Sequence, residues 1–108
     1  MVRLIDGLET TGVSTSYRVH GAHLHTVSAF FTNSGGSVTA LAVSLEGSLD
    51  GSNFFELGSH TFDATDLSAQ GAMFHVAHKP VEYVRARITS LTETGTTAVY
   101  VDYSNGGM

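Results

Sequence analysis

The chain has 108 residues, 42% of them apolar and only 14% charged, with a formal net charge of −5. That is enough for one hydrophobic core in one domain and too apolar for wholesale disorder. One lysine, Lys79, and four scattered arginines cannot build the basic stripe that a phosphate backbone demands, so nucleic acid is excluded as a partner. Without cysteine there is no disulfide and no thiolate zinc site, and no apolar run approaches the ~20 residues of a membrane span.

The opening "MVRLIDGLETTG" has no apolar core ahead of a small-residue cleavage site, so no secretory signal is expected. Residues 1–13 read as an arm or an edge strand. As an arm, Val2, Arg3, Leu4 and Ile5 would pack on a neighbouring subunit, and deleting residues 1–6 would spare the fold. The sandwich proper is expected over residues 14–104. "STSYRV" is a weak strand with Tyr17 and Val19 on one face, and "LHTVSAFFT" turns Val27, Ala29 and Phe31 one way and Phe30 the other. Asn33-Ser34-Gly35-Gly36 has the composition of a turn with positive φ.

"VTALAVSLEGSL" sets Leu41, Val43, Leu45 and Leu49 against Ala42, Ser44, Glu46 and Ser48. This is the period-2 signature of a half-buried strand. Asp50-Gly51-Ser52-Asn53 then closes a hairpin, and "FFELGSHTF" returns, with Leu45, Leu49 and one of Phe54 or Phe55 expected in the core. "FDATDLSAQGAMF" offers a single helical turn capped by Thr65, Asp66 or Ser68 and stopped at Gly71. "AMFHVAH" is a strand that ends at Lys79-Pro80. "EYVRARITSL" sends Val84, Ala86 and Ile88 inward and Tyr83, Arg85, Arg87 and Thr89 outward. After Thr92-Glu93-Thr94-Gly95, "TAVYVDYS" places Val99, Val101 and Tyr103 opposite Tyr100 and Asp102, and residues 105–108 read as a flexible tail. The sum is an all-β, single-domain antiparallel β-sandwich or jelly-roll-like barrel of about 7–8 short strands.

Chemistry is sparse in this pattern. His20, His23 and His25, with His75 or His78, carry imidazoles at strand spacing, but no carboxylate lies nearby in sequence to orient them. No metal and no cofactor is therefore expected. Asp50-Gly51-Ser52-Asn53 lacks the order and oxygen count of a calcium loop. Glu46 and Glu56 flank the hairpin as a conceivable carboxylate pair, yet no nucleophile elbow occurs, and no enzyme is expected. The best recognition candidate is the outward row Tyr83, Arg85 and Arg87, unless Glu82, Glu93 or Asp102 pairs with it. Asp50 and Asn53 would hold an exposed loop rigidly toward a neighbour.

"LEGSLDGSNFFEL" followed by "VEYVRARITSLTETGTTAVYVDY" resembles small virion proteins of tailed bacteriophages over residues 38–104. The resemblance implies a β-sandwich acting as a head decoration (cement) protein. It would be made in the host cytoplasm and mounted on the capsid exterior as a homotrimer bound to the major capsid protein. The same strand pattern also resembles discoidin-type carbohydrate-binding sandwiches. The absence of tryptophan, with Phe54-Phe55 at the usual tryptophan position, departs from a sugar-stacking platform.

Overall fold

Alternating apolar residues in runs too long for turns and too regular for helix leave the chain one economical solution, two pleated layers facing each other. The computed structural model, which describes residues 1–106, realises it with nine strands and one short helix among those residues. The strands are β1 (Val2–Leu8), β2 (Gly12–Val13), β3 (Tyr17–Arg18), β4 (Leu24–Ser34), β5 (Val38–Ser48), β6 (Phe55–Thr61), β7 (Gly71–Ala77), β8 (Tyr83–Glu93) and β9 (Thr96–Gly106). The helix, α1, spans Ala64–Ala69.

One sheet runs β1-β9-β4-β7 and the other β2-β8-β5-β6, with β3 pairing further along β8. All pairs are antiparallel. Both sheets are open-edged, so the molecule is a sandwich rather than a closed barrel.

The inward rows are those the alternation indicates. Val27, Ala29 and Phe31 of β4 meet Leu41, Val43 and Leu45 of β5; Val84, Ala86 and Ile88 of β8 and Val99, Val101 and Tyr103 of β9 complete the core. Ile5 of β1 is buried with them, because Val2–Leu8 is an edge strand paired to β9 and not a free arm. Losing it would remove roughly 1.5–3 kcal/mol of apolar burial together with a row of ladder bonds. Of the two readings of residues 1–13, Val2–Leu8 is the edge strand, and deleting residues 1–6 is now expected to cost stability.

Other readings change as well. "STSYRV" shrinks to Tyr17–Arg18, with Tyr17 exposed and only Val19 buried. The helix cap is Asp63, not Thr65, Asp66 or Ser68. Asp63 accepts from the Asp66 N–H, Asp66 reaches back to the Asp63 N–H, and Gln70 ends the helix in the left-handed region. Asn105 and Gly106 are not tail but the end of β9, opposite His25 and Leu24; Gly107 and Met108 lie outside the described residues.

At one end of the sandwich the chain crosses between the sheets twice, from β4 to β5 and from β8 to β9. These two corners interlock. Asn33 Nδ2 donates to the Thr94 carbonyl at 3.0 Å and to Thr97 Oγ1 at 2.8 Å, while its Oδ1 accepts from the Gly36 N–H. A Cβ on Gly36 would stand 2.3 Å from the Thr94 carbonyl oxygen. Gly95 has φ +75°, and a Cβ there would stand 2.4 Å from the Ser34 carbonyl oxygen. The turn at 33–36 is thus a crossover between layers and not a hairpin within one sheet.

Candidate functional site at the open end of the sandwich

The opposite end is built from the loop between β5 and β6, the segment between β7 and β8, and residues 19–23. Ser48 ends β5, and its Oγ accepts from the Gly51 N–H at 2.9 Å. Asp50 Oδ1 accepts from the Ser52 and Asn53 N–H groups, both at 2.9 Å, and Oδ2 accepts from Asn53 Nδ2 at 2.7 Å. The Asn53 and Ser52 backbone donors, then the Asn53 and Ser48 side chains, hold the Asp50 carboxyl far below the ordinary aspartate range. Gly51, at φ +81°, lets the backbone pass over the Tyr83 ring, which a Cβ would approach to 3.2 Å. Asp50 and Asn53 therefore make the loop rigid by bonding to each other.

The facing wall is equally preformed. The left-handed φ of +63° at His78 turns the chain out of β7. Lys79 then donates its N–H to the His23 carbonyl, Val81 donates to Ala22, and Gly21 donates back to Val81. His25 sits almost wholly buried beneath this segment, with Nε2 2.9 Å from the Lys79 carbonyl and Nδ1 beside the Tyr103 hydroxyl. A carbonyl only accepts, so Nε2 carries the proton and Nδ1 accepts from Tyr103. Burial pushes the Tyr103 phenol up to about 12.

Between the two walls lies a groove of about 480 Å³, lined by the buried Gly47 and Val81, the half-buried Leu57 and the exposed Leu49, Phe55 and Lys79, with Asn53 and His78 beside them. Leu49 is 73% exposed and Phe55 72% exposed, against the expectation that Leu49 and one phenylalanine reach the core. The cause is geometric. Phe55 pairs with Gly47 and so points to the inner side of its sheet, but the opposite sheet ends at Ala77 and leaves the ring uncovered. Leu49 lies beyond the end of β5. Phe54 covers the Arg85 guanidinium instead, 4.1 Å from Cζ to ring centroid.

The other candidate residues are tied into the fold. Tyr83, Arg85 and Arg87 do face outward, but the partner of both arginines is Glu46 rather than Glu82, Glu93 or Asp102, at 2.7 Å and 2.9 Å. Burial pulls the Glu46 carboxyl upward, and the hydrogen bonds from Arg87 and Arg85 outweigh it, leaving Glu46 below its ordinary value. Glu46 does face Glu56 in the register, but its carboxylate is committed to the arginines. On the other sheet Arg3 grips Asp102 with two nitrogens, at 2.8 Å and 3.3 Å, over the stacked rings of Phe30 and Tyr100. Val2 and Leu4 are half-buried against the core.

The histidines disperse. His25 is a core residue, His20 is exposed, and among the described residues His23 and His78 approach each other, at 6.3 Å between ring centres. No three of His, Asp and Glu converge among the described residues. His60 instead bonds Asp66 at 2.8 Å and stacks on Phe74, pinning α1 to β6. No helix among the described residues is long and apolar enough to cross a membrane.

Comparison with known proteins places the fold and no more. No protein-family model and no curated protein sequence matches the chain. Among solved structures it is similar to the carbohydrate-binding module CBM4, with 15% identity over 87% of this chain and 59% of that one at a TM-score of 0.55. It is also similar to the SPBc2 prophage-derived protein YomS, with 12% identity over 97% of this chain and 90% of that one at a TM-score of 0.58. A third likeness is to the PBSX exported protein XepA, with 16% identity over 95% of this chain and 37% of that one at a TM-score of 0.62. The chain thus spans less than two thirds of the CBM4 and XepA structures. The architecture is one that carbohydrate-binding modules and phage-associated proteins share.

Proposed function

We propose that this chain is a non-enzymatic structural protein of a tailed-phage virion, a decoration protein that binds the major capsid protein from the capsid exterior as a homotrimer. The observation that carries the reading is the open end. There a loop made rigid by its own hydrogen bonds presents Leu49 and Phe55 to solvent, beside a preformed apolar groove. Uncovered apolar residues on a rigid frame lose little conformational entropy on docking, which suits a part mounted many times on a lattice. The fold shared with a prophage-derived protein supports the same reading. The test is co-sedimentation with expanded capsids of the parent phage, together with the mass in solution. Binding by a trimer is expected, and a monomer that never sediments with capsids refutes the reading.

The alternative is a carbohydrate-binding module on a virion, tail or cell surface. It is favoured by the likeness to CBM4 and by the Phe55 ring on the groove rim. A glycan array with saturable binding, abolished in Phe55→Ser, would select it.

A further inference from the structure

The groove and its surroundings are specific enough to name what they receive. Apolar surface from Phe55, Leu57, Pro80 and Val81 dominates its lining, with Asn53 and His78 among the polar groups beside it. An aliphatic or aromatic side chain would be buried against that surface without leaving a polar group unpaired. The two charges on the rim are not equivalent. Asp50 spends its oxygens on Ser48, Ser52 and Asn53, while the Lys79 ammonium has no carboxylate partner among the described residues. Beside the groove β6 pairs on one side only, with β5, so its outer backbone edge is open to an extended chain.

We infer that this groove receives an extended segment of a partner protein carrying an apolar side chain next to a carboxylate, the first packing on Phe55, Leu57 and Val81 and the second on Lys79. The inference rests on the attachment reading above and specifies its chemistry. Walls held by the His25–Lys79 and Asp50–Asn53 bonds exist before the partner arrives, so binding orders the segment more than the groove.

The test needs no capsid. The ¹⁵N-labelled full chain is titrated with the blocked peptide acetyl-Thr-Val-Leu-Asp-Thr-amide and with its twin carrying lysine for aspartate. The expected result is amide shifts at Leu49, Phe55, Leu57 and Val81, with the acidic peptide about tenfold tighter at low salt and the gap closing as salt is added. Lys79→Glu should reverse the preference, and Phe55→Ser should weaken both peptides about tenfold. Both positions are solvent-exposed, so an unchanged spectrum elsewhere verifies the fold of each variant. Shifts outside the groove, equal binding of the twins, no shifts, or groove shifts with cello-oligosaccharide but not peptide would each overturn the proposal. Capsid binding that survives Phe55→Ser and Lys79→Glu would overturn it while sparing the attachment reading. Groove binding of the acidic peptide without any capsid binding would do the reverse.

Discussion

At the corner end of the sandwich, backbone packs on backbone: Gly36 lies against Thr94 and Gly95 against Ser34, with Asn33 bonding across both crossovers. At the open end the segments are as heavily bonded, the β7–β8 segment to residues 21–23 and through the Glu82 N–H to the Ser48 carbonyl, and the β5–β6 loop to itself, yet a groove remains between the two walls. Rigidity is common to both ends; closure is not. Where two loops bond each other, the space between them is consumed. Where the walls stand apart around a groove, apolar surface is left for something else. The corner end should therefore answer to mutation as a stability element, and the open end as a surface.

The largest effect is expected from Gly95→Val, which forces a branched residue to positive φ and drives Cβ into the Ser34 carbonyl. A loss of about 3 kcal/mol in urea unfolding would support the interlock, and a near-neutral result would break it. Next is Tyr103→Phe, which leaves His25 Nδ1 buried without a donor while the Lys79 carbonyl still holds the other nitrogen. The cost should be about 1–2 kcal/mol. The same substitution should flatten the alkaline limb. The folded phenol is pushed up to about 12, above its ordinary value of 10, so the native chain keeps a proton that the unfolded chain gives up. Wild-type stability then falls as pH rises from 10 toward 12, and the variant lacks that component.

A smaller and local effect is expected for Asp50→Ala: faster hydrogen exchange at the Ser52 and Asn53 amides with the rest of the sheet unmoved. Because the Asp50 carboxyl is held down in the folded chain, its contribution is present above the ordinary aspartate value of 3.8 and fades only as pH falls below it. Loop amides that stay protected in Asp50→Ala would show that Ser48 and Tyr83 hold the loop without it. Smallest of all, Phe55→Ser should leave the urea midpoint within about 0.5 kcal/mol of wild type. A large loss there would mean that the ring is part of the core and the groove is not a free surface.

The inward rows of β4, β5, β8 and β9 were legible because period-2 alternation is a local property of each strand. What was not legible depends on where the other sheet stops. Phe55 has the phase of a core residue, and nothing in "SNFFEL" reveals that β7 ends opposite it. Nor does any local pattern separate His25, which reads like its neighbours His20 and His23, from a surface histidine; its place follows from Tyr103, 78 positions away. Arg85 and Arg87 were placed on the correct face, but their partner came from β5 because cross-strand register is set by the fold. The Lys79-Pro80 break was the one local hint that strand cover ends near Phe55.

The position of β9 has a consequence for synthesis. Thr96–Gly106 lies between β1 and β4, so neither can complete its ladder until that stretch has left the ribosome. Before then β5 can find β6 and then β8, and β4 can pair with β7, but the other edge of β4 waits for β9. Completion of the first layer is thus a late event, and a chaperone that shields the open edge of β4 during that interval would matter more than one acting on the finished protein.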